Sequence, residues 1–525
     1  MLETVAMASK HAQLGASGAS ATRSSASSAS AGQWDDPGMN CSWSQLSAMM
    51  ATCPALEPQE IFVPAQPPLD ATPGVIERFQ TDSRQLEPGD LFVALQGESF
   101  DGHDFLGQAK SRGAVGAIAQ RGLLAAGLPG FEVKDSTRAL GEMAHAWRAQ
   151  FDVGLIAVTG SNGKTTVTQM LASVLRAWVG EDALATRGNF NNAIGVPLTL
   201  LRLRAHHRGG VLELGMNHVG EIESLARWVA PRVALVNNAQ REHQEFMGSV
   251  HAVAEENGRV LQALGEGGVA VFPMDDEFEP LWSQMAGSHA VCRFGRRKGA
   301  DVQLLEHVWQ GSHYALRVLT PQGETPLSLH MAGEHHVNNA LACVACALSL
   351  GVPMGAVAQG LSDFRAVSGR GQLHLVPSAT GAITLVDDTY NANPDSVLAA
   401  IDVLKQLPQP SVLVLGDMGE VGENGELYHQ EVGAYAQSAG ITVMLTLGDL
   451  SKASAHAFAA REFKPSRAQA YAATHEGLAQ LLLQLDQELQ SAQSVLVKGS
   501  RFMRMERVVN HVLSKSATRK DSPCS

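Results

Sequence analysis

The sequence predicts an α/β protein of three domains, and three observations predict it. Short apolar strand-like runs alternate with amphipathic helical patterns from about residue 75 onward. A length of 525 residues with 45% hydrophobic content suits several globular domains. Polar groups recur at the carboxyl ends of the strand-like runs, where parallel α/β sheets bind their ligands.

Taken in order, residues 1–55 stand apart. The stretch "MASKHAQLGASGASATRSSASSASAG" is rich in serine and alanine, and no acidic residue falls between Thr4 and Trp34. Such a segment buries too little apolar surface to offset its chain entropy, which predicts a disordered low-complexity tail. It lacks the apolar stretch of about 7 to 15 residues found in a secretory signal and is poor in arginine for a transit peptide. A translation start nearer Met39 or Met49 would give the same appearance.

Residues 56–148 form a small first domain, with a strand at Leu91-Phe92-Val93-Ala94-Leu95 followed by a polar, glycine-bearing loop. Residues 149–360 form a larger second domain that opens with "LIAVTGSNGKTTVTQML" and continues through "GGVLELGMNHVGEI" and "RVALVNNAQREHQEF". After "FRAVSGRGQ", residues 361–515 carry strands at "AITLVDD", "SVLVLGD", "ITVMLTLGD" and "SVLVKGS", each followed by a helical pattern. That repetition predicts an open, doubly wound sheet.

The bulk properties exclude several classes. A formal net charge of -13 argues against a nucleic-acid partner. The six cysteines lie apart except for Cys343 and Cys346, whose helical spacing in an apolar run reads as core packing rather than a zinc half-site. No run reaches the roughly 18 apolar residues of a membrane span. The expectation is a soluble protein of a reducing, cytoplasmic compartment, working as a monomer without membrane insertion.

The chemistry gathers at strand ends. Thr159 closes an apolar strand, and Gly160-Ser161-Asn162-Gly163-Lys164-Thr165-Thr166 follows as a shortened phosphate loop; the longer motif would need a glycine at Val158. Gly160 and Gly163 let backbone N–H groups turn inward at a helix N-terminus. Lys164 can then reach terminal phosphates, and Thr165 can offer its hydroxyl to Mg2+. The alternative is a plain strand-to-helix turn with a solvated lysine.

Glu213 lies in an apolar strand, where a carboxylate needs a cation or donor, and a Mg2+ shared with Thr165 would supply one. A glutamate turned to solvent at the strand end is the other reading. His243, shortly after Asn237 and Asn238, can ligate a metal, contact phosphate or serve as a structural hydrogen bonder. Asn189, Asn191 and Asn192 offer amides to a sugar or peptide, or form an ordinary turn. Asp388 can hold a ribose hydroxyl pair or cap its turn. Arg370, between glycines, sits where a cation reaches phosphate on domain closure. The glycines of "LGDMGEVGENG" lack the dinucleotide spacing, and Asp417, Glu420 and Glu423 would repel a pyrophosphate, so hydride transfer is not expected.

"VTGSNGKTT", "NFNNAIGVPLTLL", "ELGMNHVGEI", "GEHHVNNALA" and "DDTYNANPDS", in this order, together resemble the Mur ligases, the ATP-dependent amide-forming enzymes of peptidoglycan precursor synthesis. The resemblance runs from about residue 75 to 512 and includes the short phosphate loop. It implies a first domain for a UDP-sugar, a central ATPase domain and a Rossmann-like third domain. The form of "DDTYNANPDS" and "LGDMGEVGE" implies D-alanyl-D-alanine as acceptor and UDP-N-acetylmuramoyl-tripeptide as the acid that ATP activates, through an acyl phosphate.

By the same resemblance, Thr159 to Thr166 with Lys164 hold the ATP phosphates, Thr165 and Glu213 bind a first Mg2+, and His243 helps bind a second. Asn339 lies to the adenine side, Asp388 to the ribose and Arg370 to the phosphates, making Lys164, His243 and Arg370 the implied catalytic groups. Asn189, Asn191 and Asn192 lie towards the muramoyl substrate, and Ser83 and Arg84 towards its uridine end.

Two positions depart from the family pattern. Asn257 stands where related ligases carry a lysine modified to a carbamate; either Glu255 or Glu256 replaces that charge, or the second metal is held differently. His335-His336 replaces a His-Asn pair before Asn339. The rival readings are another ligase of the superfamily, such as a folylpolyglutamate synthase, and a non-catalytic nucleotide-binding protein.

Overall fold

Three sheets form where the sequence places its apolar strands. The computed structural model describes residues 38–53, 56–61, 75–97, 99–378, 381–460 and 467–520. The chain divides into two units, one of Met1–Asp152 with Ala193–Ala205, the other of Val153–Asn192 with His206–Ser525.

The first unit is built on a five-stranded sheet ordered Gln59–Ile61, Gly130–Glu132, Gly116–Ala119, Asp90–Val93 and Arg78–Gln80, parallel except for its first pair. Residues 38–53, assigned by composition to the tail, are folded. Trp43–Ala51 is a helix whose N-cap Ser42 and Gln45 exchange side-chain and backbone hydrogen bonds, and it buries Leu46, Met49 and Met50. Serine and alanine dominate the preceding stretch and mask this short apolar face. Residues 1–37 of the expected tail lie outside the described residues. A second difference concerns Ala193–Ala205, which groups with the first unit and not with the central domain around it in sequence. The indole of Trp147 donates to the carbonyl of Leu203 at 3.1 Å, anchoring this excursion.

In the second unit the larger sheet has nine strands, in the order Gly323–Leu329, Tyr314–Thr320, Val302–Trp309, Ala290–Gly295, Val269–Pro273, Val233–Val236, Gly154–Thr159, Gly209–Glu213 and Ala183–Ala185. The last three of these in sequence are antiparallel and the remainder parallel. Helices Lys164–Val179 and Glu334–Ser349 pack their apolar faces on it, and Cys343 and Cys346 are buried in that core. Burial pushes both thiols above their ordinary range.

The other sheet has six strands, ordered Gln372–Ser378, Gly381–Asp388, Ser494–Lys498, Ser411–Gly416, Val443–Leu447 and Arg467–Tyr471, all parallel after the first hairpin. Separate apolar cores cover its two faces, which is the doubly wound arrangement.

Candidate active site

Parallel strand pairing decides which side chains meet. Gly154–Thr159 runs between Val233–Val236 and Gly209–Glu213, with Val158 opposite Glu213 and Thr159 opposite Val236. Thr159, Glu213 and Asn237 therefore reach the same sheet edge.

The phosphate loop is fixed by amides from distant segments. Asn257 Oδ1 accepts from the Thr159 hydroxyl at 2.6 Å and from the Gly160 N–H at 3.0 Å. Asn238 accepts from the N–H groups of Ser161 and Asn162. Asn339 Oδ1 accepts from Asn237 Nδ2 at 3.0 Å beneath Gly163. Both loop glycines have positive φ, +131° at Gly160 and +82° at Gly163. A Cβ on Gly163 would lie 2.5 Å from Asn339 Oδ1, so a side chain is excluded by space as well as by backbone conformation. Helix Lys164–Val179 starts at Gly163 with no side-chain cap, which leaves its first turn suited to an anion.

Lys164 Nζ donates to Gly160 O at 2.6 Å, Ser161 O at 3.0 Å and Glu242 Oε1 at 2.6 Å. Burial disfavours the Glu242 carboxylate, but the Lys164 charge and His243 outweigh it and lower its pKa. His243 Nε2 lies 3.5 Å from Glu242 Oε1, and its Nδ1 lies 2.5 Å from Glu420 Oε2, off the direction of a good hydrogen bond. Burial would lower the His243 pKa, yet Glu242 and Glu420 raise it to about 9. The two carboxylates thus favour the protonated ring, and a proton must leave before His243 can ligate a metal.

Glu213 is 2% exposed. Its Oε1 accepts from Asn191 Nδ2 at 2.8 Å, and its Oε2 is buried with no partner. A buried carboxylate oxygen left without a donor fits a cation held with Thr165 in the adjacent helix turn. Among the described residues no three His, Cys, Asp or Glu side chains converge as a complete metal cage. Mg2+ needs none, because phosphate oxygens and water complete its shell. Of the two carboxylates expected to replace the carbamate, Glu256 is turned away, accepting from Ile222 N at 3.0 Å and pairing with Arg259, and Glu255 is exposed.

The remaining residues expected at the site are distributed as follows. Asn191 lies beside Glu213, Asn189 is exposed and Asn192 is partly buried. Asn339 is 4% exposed, bonded to Asn237 and to His336 Nδ1 at 3.3 Å, so its amide is engaged behind the loop. Burial keeps His336 neutral. Asp388 accepts from Lys498 Nζ at 2.6 Å, its register partner on the neighbouring strand. Arg370, between Gly369 and Gly371 at φ +76° and +74°, lays its guanidinium 4.0 Å from the Tyr390 ring centroid. In the first unit the Ser83 hydroxyl donates to Gln108 at 3.0 Å, and Arg84 forms a fork to Asp82 at 2.8 and 2.7 Å.

Sequence reading missed Glu242, Asn257 as a strut of the loop, Glu420 and Lys498. Lys498 carried a signal, since it ends an apolar strand as Asp388 does. A cavity of about 300 Å³ lined by Pro410, Ser411, Thr442, Arg467 and Glu488 lies at the amino ends of the third-sheet strands, away from these groups.

Three family models match the chain in order: the Mur ligase family catalytic domain at residues 75–148, the Mur ligase middle domain at 158–347 and the Mur ligase glutamate ligase domain at 369–501. The chain belongs to the Mur ligase family. Among Mur ligases it is 39% identical to the UDP-N-acetylmuramoyl-tripeptide–D-alanyl-D-alanine ligase of Haemophilus influenzae, over 84% of this chain and 94% of that one. The Escherichia coli ligase of the same name is also 39% identical, over 83% and 93%. A crystal structure of MurF from Acinetobacter baumannii superposes with a TM-score of 0.77 at 35% identity, covering 84% of this chain and 94% of that one. Thermotoga maritima MurF ligase in complex with ADP gives 0.72 at 25% identity, covering 84% and 98%.

Proposed function

We propose that this Mur ligase joins D-alanyl-D-alanine to UDP-N-acetylmuramoyl-tripeptide at the expense of ATP, giving the pentapeptide precursor of peptidoglycan. The tripeptide's terminal carboxylate attacks the γ-phosphorus and ADP departs, leaving an acyl phosphate. The D-alanyl-D-alanine amine then attacks the acyl carbon. The tetrahedral intermediate collapses with loss of inorganic phosphate, and the amine proton passes to the medium. Without the phosphoryl group the carboxylate would resist the amine, so the protein's task is to position reactants and neutralise charge.

What carries this reading is the unpartnered Glu213 oxygen at the same strand edge as the Lys164 loop, within a chain that matches the family along all three of its domains. Lys164 exchanges its Glu242 contact for the phosphates. Thr165 and Glu213 would hold Mg2+, which neutralises charge on the phosphate oxygens. Arg370 leaves the face of Tyr390 for the transferred phosphate, and Asp388 meets the ribose while Lys498 holds its other side. Ser83 and Arg84 bind the uridine end. Asn189, Asn191 and Asn192 face the muramoyl substrate, and Asn339 supports the nucleotide from behind the loop. His243 serves as a cation toward phosphate oxygens while Glu242 and Glu420 flank it. No helix among the described residues is long and apolar enough to cross a membrane. On this reading the enzyme acts as a monomer in the cytoplasm, on soluble precursors.

Phosphate release tests the proposal. It is expected with UDP-N-acetylmuramoyl-tripeptide, ATP and Mg2+ only when D-alanyl-D-alanine is added. Glutamate or single amino acids serving equally well as acceptors would transfer the assignment to another amide ligase of the superfamily.

A further inference from the structure

We propose that Arg241 is a clasp that aligns the phosphate-loop edge of the central sheet with the third sheet, a positioning residue acting through its neighbours Gln240 and His243. The inference rests on the ligase reading above. Arg241 lies in the loop between strand Val233–Val236 and His243. Its backbone N–H donates to Asp395 Oδ2 at 2.8 Å and its Nη2 to Asp395 Oδ1 at 2.6 Å. Nη1 donates to Glu431 Oε2 at 2.6 Å, and the guanidinium stands 5.1 Å from the Tyr428 ring centroid.

Asp395 belongs to the first turn of helix Pro394–Gln406, and Tyr428 and Glu431 to helix Gly425–Ser438. One arginine thus grips two helices of the third sheet. Its side chain is 21% exposed, so these contacts are stronger than those of an isolated surface pair.

The same helix end also holds the phosphate loop. Asn393, the N-cap before Pro394, donates to Asn162 Oδ1 at 2.9 Å and accepts from Asn162 Nδ2 at 3.3 Å. Gln240, next to Arg241, accepts from Asn162 Nδ2 at 2.6 Å, and its N–H donates to the Ser161 hydroxyl at 2.9 Å. Moving residue 241 therefore pulls Gln240 from the loop and displaces His243, two residues on. The planar guanidinium accounts for arginine at this position, since it lays paired N–H bonds on Asp395 and on Glu431 at once, a fork that a lysine ammonium does not have.

The full chain provides the test. Phosphate release is measured for wild type, Arg241→Ala, Asp395→Ala and the double variant, with thermal melting and the KM of each substrate. The expected result is a kcat at least about tenfold lower in each single variant, an unchanged KM for the UDP-linked substrate and a double variant no slower than the singles. An Arg241→Ala rate within about twofold of wild type, or defects that multiply in the double variant, overturns the proposal. Should Arg241→Ala fail to fold, Glu431→Gln and Tyr428→Leu probe the clasp from the other side: a lowered kcat with unchanged melting supports it, and wild-type rates overturn it. A wild type without acceptor-dependent phosphate release refutes the ligase reading instead. The clasp is then judged by solution scattering of the nucleotide-free chain, where a larger radius of gyration for Arg241→Ala supports it and an equal one overturns it.

Discussion

The phosphate loop and the Asp82–Gln85 turn are both proposed to meet bound ligands, yet they are built on opposite plans. Around the loop, Asn237, Asn257 and Asn339 are at most 5% exposed, and they reach it from other strands and helices. In the turn, Arg84 is half exposed and its carboxylate partner, Asp82, stands two residues away. A phosphoryl-transfer centre gains from dipoles fixed before the nucleotide arrives, because no reorganisation is then needed as charge moves. A large, flexible uridine-linked substrate gains more from side chains that adjust to it. On the proposed assignments, buried amides hold the site where charge moves, and exposed side chains meet the bulk of the substrate.

The largest test of this contrast is Lys164→Ala. It should lower turnover by at least about 10³-fold, with binding of the UDP-linked substrate by calorimetry unchanged. Retained turnover would remove the loop from the chemistry. Glu213→Gln comes next: about 10- to 100-fold weaker activation by Mg2+ is expected, read as a shift in the Mg2+ titration of rate, and an unshifted titration would assign the orphan oxygen elsewhere.

A third, smaller effect follows from His243. Its pKa of about 9 lies above the ordinary 6.5, so its stabilising contribution is complete below pH 6.5 and fades as pH rises through 9. On the order of 2 kcal/mol should disappear from the urea unfolding free energy between pH 6.5 and 9.5, and His243→Asn should flatten that slope. The smallest effect belongs to the turn. Arg84→Ala should raise the KM for the UDP-linked substrate several-fold with kcat unchanged, and shift stability by less than about 0.5 kcal/mol, because its side chain is 53% exposed. A fall in kcat would mean that the turn is as rigidly built as the loop.

The sequence was most legible where structure is local. Leu155 to Leu171 shows its strand, loop and helix in one stretch, and Glu213 stands out as a carboxylate in an apolar run. Asp388 is legible for the same reason, being the polar end of "ITLVDD". Glu242 is not, since a glutamate in a polar loop acquires meaning only when folding brings Lys164 across 78 residues. Asn257 was legible only as a missing charge. Its contacts with Thr159 and Gly160 join a helix to a strand end 98 and 97 residues away, beyond any local pattern. The helix Trp43–Ala51 was hidden because composition averaged over a long window outweighs three apolar residues on one face. The excursion of Ala193–Ala205 was equally hidden, because chain order gives no sign that a segment packs with an earlier unit.

Asn257 also sets how the phosphate loop is completed. A primary amide, unlike an amine, does not capture carbon dioxide, and here its oxygen is already committed to Thr159 and Gly160. The loop is thus braced by a group that needs no dissolved gas to complete it. Its bracing is complete as soon as the chain folds, with no chemical modification of residue 257.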